Sequence, residues 1–413
     1  MKTICSSIHT SITKLHLCVS LLAIFLYSFI YVQPWQHNHV DIVTINPTRI
    51  IMQSTIINQV HEENCISIEL VDDLSMPPRH AKPEKRIAWL KPRLKNSKIL
   101  QSTVKTRQFH DKIMRFISQD SDNNDTKCKV VFFMTWISPN KKLFAKRDLL
   151  SLESVFKAHP RGCMVILSKS MDSEPGWRLL EPLVSQGYRV LAVAPDFQLI
   201  FSNTPAEVWI KRLEAGLIDP GTIPITQNLS DLLRLVALYK YGGVYIDADV
   251  VILKDVSSLR NSIGIQTMEN KSRNQGTTLN NAVLIFDKGH LMLLKFIEEF
   301  VNTFNGRRWG FNGPSLVTRV IYRRNRDKRI KVNVLPLTAF YPVNWRQIVD
   351  YFKKPILKNE TNWAQEQLNR VNNKSYGIHL WNKVSRNLTI EEGSIIGKLI
   401  LDHCIICQDI FIS

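Results

Sequence analysis

An α/β fold organised around a parallel sheet is what the order of apolar segments predicts. Three observations carry that expectation. Strand-like apolar runs alternate with helical stretches between residues 128 and 194, a long amphipathic helix ends at Gly242-Gly243, and a short apolar strand follows with two aspartates at its end.

Val130 to Trp136 is a near-continuous apolar run between polar flanks, the pattern of a strand buried on both faces. Residues 147–158 place Leu149, Leu152 and Phe156 on one helical face. A strand over 163–167, a helix around 177–186 and a strand over 189–194 complete the alternation, which argues for βαβ crossovers. The architecture is of nucleotide-binding type, but no G-x-G-x-x-G fingerprint accompanies it, so dinucleotide binding is not expected. In the next helix Leu232, Leu235, Val236 and Tyr239 follow the i, i+3, i+4, i+7 rule, with Asn228 or Ser230 as its N-cap and Gly242 as its left-handed stop. Asp231 and Arg234 lie one turn apart on it, as a surface ion pair or as one end of a pocket.

Upstream, residues 34–127 are charged and breaker-rich and are expected to form a stem, partly disordered, with one helix near 101–117. Residues 15–33 are apolar and free of Lys, Arg, Asp and Glu, with Tyr27, Tyr31 and Trp35 toward the far end and Lys2 and Lys14 before it. That predicts an uncleaved single-pass anchor with a cytoplasmic tail over 1–14 and a translocated body over 128–413. Six N-x-S/T sequons and five cysteines beyond the span agree with a lumenal body, although cysteine pairing cannot be read from spacing. Cys404-Ile405-Ile406-Cys407 has no companion pair for zinc, so a structural role is expected. The formal charge of +18 comes without any nucleic-acid module, which points to anionic substrates or a membrane face rather than to DNA or RNA. Nothing in the sequence sets an oligomeric state.

The chemistry concentrates in Val244-Tyr245-Ile246-Asp247-Ala248-Asp249-Val250-Val251. On a strand, side chains at i and i+2 point the same way, so Asp247 and Asp249 are expected to converge. Paired carboxylates repel unless something positive neutralises them, and a divalent cation carrying a diphosphate does so.

The ordered series Ser230-Asp231-Leu232-Leu233-Arg234, Tyr241 to Asp249, Leu279 to Asp287, Trp309 to Pro314, Ala339 to Trp345 and His379 to Lys383 resembles the DXD-containing α-1,4-glycosyltransferases across about 128–407. The resemblance implies a GT-A-like, Rossmann-type nucleotide-sugar-binding region over 128–260 and an acceptor-side region over 261–413. It further implies a UDP-sugar donor, a glycan or glycolipid acceptor, Mn2+ (or Mg2+), retention of configuration and a type II Golgi anchor. On that basis Asp249, Asp247 and His379 are expected to hold the metal, Asp247 and Asp249 being the catalytic acids. Asp231, Arg234, Asp247, Asn280, Asn281 and Lys383 are expected at the donor, Asp247 binding either the metal or the donor's ribose and sugar hydroxyls, and Asn312, Gly313 and Trp345 on the acceptor side. Asn280 and Asn281 are otherwise turn residues before a strand over 282–286, and Trp345 and Trp381 are otherwise core. Phe311 stands where relatives commonly carry a histidine, which raises the alternative of a binding protein without turnover. A strand followed by Asp-x-Asp also resembles haloacid-dehalogenase-type phosphatases, but there the motif opens the domain, whereas Asp247 lies deep within this one.

Overall fold

The computed structural model describes residues 74, 77–97, 100–118, 128–137, 142–268, 276–324, 330–408 and 410–411. The expected anchor over 15–33 lies outside them, and among the described residues no helix is long and apolar enough to cross a membrane.

Three helices come first: α1 (Pro83–Asn96), α2 (Val104–Arg107) and α3 (Phe109–Ser118). The alternating unit follows as β1 (Val130–Thr135), α4 (Lys146–Ala158), β2 (Gly162–Leu167), α5 (Glu174–Val184) and β3 (Arg189–Val193). Next are α6 (Phe197–Phe201), α7 (Pro205–Glu214), α8 (Ile225–Tyr241), β4 (Gly243–Ile246), β5 (Val250–Ile252), β6 (Ser262–Thr267) and β7 (Thr278–Phe286). The chain closes with α9 (Leu291–Thr303), α10 (Pro314–Arg324), β8 (Asn333–Leu335), α11 (Ile348–Tyr351), α12 (Lys358–Lys374), β9 (Gly377–His379), α13 (Asn382–Ser385) and α14 (Ile395–His403).

The main sheet has the order β3-β2-β1-β4-β7-β6-β8, and β5 pairs with β9 in a separate antiparallel ribbon. Strands β3, β2, β1 and β4 run parallel, as the alternation predicts. Beyond β4 the sheet is mixed, since β7 is antiparallel to both β4 and β6. Successive strand residues pack into opposite layers: Phe132, Met134, Val244 and Ile246 join one apolar cluster, Phe133 and Tyr245 the other. Helix α8 supplies eight fully or nearly fully buried apolar residues from Ile225 to Leu238, and so forms the floor of the second layer.

The Gly242-Gly243 junction is fixed by space as well as by φ. Both residues have positive φ, and a Cβ on them would lie 2.6 Å from the Lys288 nitrogen and 2.4 Å from the Val131 oxygen. Helix α8 starts a turn before the position expected from Asn228 or Ser230, with Pro224 as its N-cap, so neither residue caps it.

Within the stretch expected to form a stem, the helix expected near 101–117 is present as α2 and α3, and a further helix, α1, precedes it. Helix α1 starts with Pro83 at its first turn, where a missing N–H is harmless. It docks through Arg86, 1% exposed, whose guanidinium pairs with Asp219 and donates to the Ala81 carbonyl. Ser102 and Thr106 donate to Asp196, and Arg189 donates to the Phe116 carbonyl. Leu90, Leu94, Leu100, Phe109 and Ile113 of this stretch are buried in the second apolar cluster as well, between charged and breaker residues that mask their pattern.

Cys128–Cys163 joins the entry of β1 to β2, and Cys404–Cys407 closes a loop after α14. The second disulfide shapes a cluster of backbone donors: the N–H groups of Ile405, Ile406 and Cys407 all donate to Glu153 Oε2, at 2.8, 2.8 and 3.1 Å. Glu153 is 4% exposed on α4, so this carboxylate ties the C-terminal loop to the core.

Two predictions follow from these anchors. Glu153→Leu strands three backbone donors and should lower stability by about 2–4 kcal/mol, read from the urea midpoint of the oxidised protein. Burial alone would raise the Asp219 carboxyl, but Arg86 and the Gly221 N–H outweigh it and hold it below its usual value. A carboxylate depressed in the folded state contributes stability above its unfolded value of about 3.9 and loses it as pH falls through the folded value. The stability gap between the native chain and Asp219→Asn should therefore be full at pH 6 and shrink below about pH 4.

Candidate active site

A cleft of about 1020 Å3 opens where β1, α8, β4, β7 and α13 meet. The two aspartates reach it in a way the strand reading did not anticipate. Strand β4 ends at Ile246, and residues 247–249 form a turn closed by the Val250 N–H donating to the Asp247 carbonyl at 3.1 Å. Chain direction changes here, from the main sheet to the β5–β9 ribbon. The carboxylates thus converge through a turn, not through strand alternation. With His379 they form a group whose ligand atoms all lie within 4.8 Å of one another.

Each member is positioned from its own element. The Asp247 N–H donates to the Ala282 carbonyl of β7, and its Oδ1 receives the Tyr245 hydroxyl at 2.7 Å and Arg234 Nη1 at 2.9 Å. Asp249 Oδ1 faces His379 Nε2 at 3.3 Å, while its Oδ2 accepts the Asn382 N–H at 2.8 Å. Burial would raise the Asp249 carboxyl, but His379 and that N–H prevail and hold it down at about 2. His379 is drawn the other way: burial disfavours its charge, yet Asp249 raises its pKa above the ordinary value. His379 reaches the group because β9 pairs with β5, with Val250 opposite His379.

Behind this group lies a buried charge cluster. Arg234, its side chain 3% exposed, contacts Asp247 and Asp231 (3.4 Å), donates to the Asn281 carbonyl at 3.0 Å, and lies over the Tyr245 ring at 4.5 Å. Burial opposes its charge, but the two acids raise its pKa further. Burial pushes Asp231 up, and Arg234 and the Asn281 amide (2.9 Å) offset this only in part. The one-turn spacing of Asp231 and Arg234 is therefore a buried pair, not a surface one. Thr135 links the Ser230 and Tyr245 hydroxyls at 2.6 and 2.8 Å, which ties β1 into the same network.

The remaining expected residues are distributed around the cleft. Asn280 and Asn281 lie within β7, not in a turn before it; Asn280 donates to Gln266 at 2.7 Å. Lys383 sits over the Trp309 ring at 3.6 Å, and partial burial lowers its pKa. Trp345, 43% exposed, lines the rim. Trp381 is 9% exposed and lines the cleft while donating to the Val343 carbonyl at 3.0 Å. Asn312 lines the wall but is fully occupied with Asn228 Oδ1, the Asn305 carbonyl and the Asn305 N–H. Gly313 is required by its neighbours, since a Cβ there would lie 2.9 Å from the Asn281 amide and 3.0 Å from Asp231 Oδ1. Phe311 does not line the cleft; its ring is held by Arg319 at 4.1 Å and Arg308 at 5.1 Å.

Sequence reasoning missed two cleft residues. Asn228 Nδ2 and Asn382 Oδ1 are buried without a protein partner, a state that native structures rarely leave unexplained. Asn228 had been read as a cap or sequon, yet it is 2% exposed and bonded to Asn312. Its place on the inward face of α8, one turn before Asp231, was the available signal.

Gly313→Ala should push the Asn281 amide off Asp231 and leave a buried carboxylate less well partnered. The expected stability loss is about 1–3 kcal/mol. Thermal unfolding alongside turnover should show activity falling further than the folded fraction accounts for.

Comparison with known proteins agrees with this geometry. A family model described as "Glycosyltransferase sugar-binding region containing DXD motif" matches residues 145–269, and "Alpha 1,4-glycosyltransferase conserved region" matches 285–411. Rat lactosylceramide 4-alpha-galactosyltransferase is 31% identical over 268 residues, covering 62% of this chain and 69% of that protein. The human alpha-1,4-N-acetylglucosaminyltransferase is 24% identical over 275 residues, covering 62% and 73%. The Arabidopsis thaliana protein At4g19900, described as uncharacterized, is 32% identical over 300 residues; the match covers 70% of this chain but only 44% of that relative's length. With the DXD turn, the Asp231–Arg234 pair and the Asn-Gly-Pro wall on one cleft, the chain belongs to the α-1,4-glycosyltransferase family.

Proposed function

We propose that this chain is a metal-dependent glycosyltransferase of GT-A type that moves a hexose or N-acetylhexosamine from a UDP-sugar to a glycan or glycolipid acceptor. The linkage formed is α-1,4 with retention, and the body faces the Golgi lumen behind an N-terminal type II anchor. The observation that carries the reading is the Asp247–Asp249–His379 group on the floor of a cleft large enough for a nucleotide sugar. The two disulfides among the described residues fit an oxidising compartment.

The donor set suits a hard or borderline divalent cation such as Mn2+ or Mg2+: two carboxylates and one imidazole, with Asp247 Oδ2 free of protein partners among the described residues. Asp247, Asp249 and His379 would hold it. When bound, such an ion supplies positive charge to the diphosphate leaving group. The protein's own residues do the rest. Arg234 and Tyr245 fix the Asp247 carboxylate, and the Asn382 N–H fixes Asp249, so neither has to reorganise as charge develops. Lys383, carried on the Trp309 face, brings a second cation to the diphosphate side of the cleft. Asn228 and Asn382 offer an unpaired donor and acceptor to the donor's hydroxyl or base groups.

Two observations weigh against the rival readings. Asp247 as a phosphatase nucleophile would have only Oδ2 to offer, since its Oδ1 is tied to Arg234 and Tyr245. The Phe311 ring, which motivates the non-catalytic reading, packs on Arg308 and Arg319 and is not among the residues lining the cleft, although Arg308 is.

The test is UDP release by the full-length chain from UDP-galactose and UDP-N-acetylglucosamine, with and without Mn2+. Turnover should require the metal and vanish in EDTA. Asp249→Asn should lower kcat/KM by about 10^3-fold, the scale of losing a key electrostatic group. Undiminished turnover in Asp249→Asn would refute the assignment.

A further inference from the structure

A second cavity, of about 500 Å3, adjoins the cleft on the far side of Trp345. Trp345 and Gln266 line both, so the two spaces form one continuous surface. The second cavity takes its walls from the end of β6, the 340–347 loop, α11 and α12, and none of the metal-group residues belongs to it. We propose that it is a saccharide subsite that holds the non-reacting sugars of an oligosaccharide acceptor. The inference rests on the glycosyltransferase reading for the identity of its occupant, but not for the site itself.

The chemistry of the lining carries the argument. Trp345 and Trp363 are 43% and 40% exposed, and Trp363 meets Tyr351 edge-on at 5.6 Å. Large aromatic rings partly exposed at the wall of a cavity offer flat apolar faces, which suit the C–H faces of sugar rings. Carboxamides surround them: Gln266, Gln347 and Gln367 line the same space. Amides donate and accept at once, which matches hydroxyl groups that do the same.

The charged groups of the lining have contacts within the protein. Arg370 donates to the Pro342 carbonyl at 3.1 Å and to the Tyr351 hydroxyl at 3.2 Å. Asp350 faces Lys353 at 3.5 Å, and the Arg346 guanidinium lies on the Trp345 ring at 4.8 Å. Position decides the remaining question. An occupant on Trp363 reaches the metal group by passing Trp345, so it is a distal part of the molecule whose end sits in the cleft.

Two measurements on the full-length chain test this. Saturation-transfer NMR compares methyl β-galactoside, lactose and a β-linked tetrasaccharide with the same terminal sugar. Binding should strengthen with length, persist in Asp249→Asn, and lose its length dependence in Trp363→Ala. In turnover, the tetrasaccharide should have the higher kcat/KM, and Trp363→Ala should lower it about tenfold with the monosaccharide rate unmoved. Gln367→Ala, which removes a half-buried amide bonded to the Tyr351 hydroxyl at 3.1 Å, serves as the second variant should Trp363→Ala fold poorly. If no acceptor is glycosylated, the glycosyltransferase reading fails, while length-dependent binding lost in Trp363→Ala still supports the subsite. Binding indifferent to length, or variants that affect all acceptors equally or not at all, would overturn it.

Discussion

Arg234 is the constraint on which the site depends. It places one guanidinium, fully enclosed, between Asp231 on its own helix and Asp247 at the end of β4, and donates a further bond to the β7 backbone. Enclosing a charge without partners is prohibitive, so helix, strand end and neighbouring strand can only assemble together. Gly313 and the Gly242-Gly243 junction serve the same assembly, since each removes a Cβ that would force these elements apart. A planar fork is needed: a lysine ammonium could not reach Asp247, Asn281 and Ser230 while resting on the Tyr245 ring.

The charge count then explains why the site asks for a cation. Asp231, Asp247 and Asp249 lie within one network and Arg234 answers for only one of them. Burial disfavours the charged form of Asp231, and Asp249 favours the charged form of His379. A divalent ion held by Asp247, Asp249 and His379 would balance the remaining negative charge, in competition with the His379 proton. The cluster is poised for a positive ligand by its own composition, independently of the family to which the chain belongs.

Much of this was legible in the residues, though not always for the reason first given. The strand and helix alternation from 130 to 194 appears as expected because those strands are buried on both faces and their apolar runs are unbroken. The pairing of Asp247 with Asp249 was also legible, but alternation along a strand was the wrong cause; a turn between two sheets brings them together. Strand β8 was missed because it has three mostly exposed residues, and β6 because Ser262, Gly264, Gln266 and Thr267 leave only two apolar residues to mark it. Helix α1 was hidden by its charge and its two prolines, one harmless at the start and one at Pro92. Asn382 lies within the family-like segment His379 to Lys383 but was given no role there, and for both Asn228 and Asn382 the enclosed, unpartnered atoms are what mark them.

Trp381 shows how the two halves of the site are coupled. It adopts φ 58° and ψ 55°, a left-handed conformation that a bulky residue takes only under compulsion, at a cost of about 1–3 kcal/mol. Its indole N–H on the Val343 carbonyl and its ring against His379, centroids 4.3 Å apart, hold it there. The consequence is a reversal of the chain directly after β9, so that His379 and the Asn382 N–H address the two oxygens of one carboxylate from either side of the turn. Relaxing that backbone would break both contacts to Asp249 together. Because Val343 belongs to the same loop as Trp345, the wall of the neighbouring cavity and the support of the metal group share one anchor.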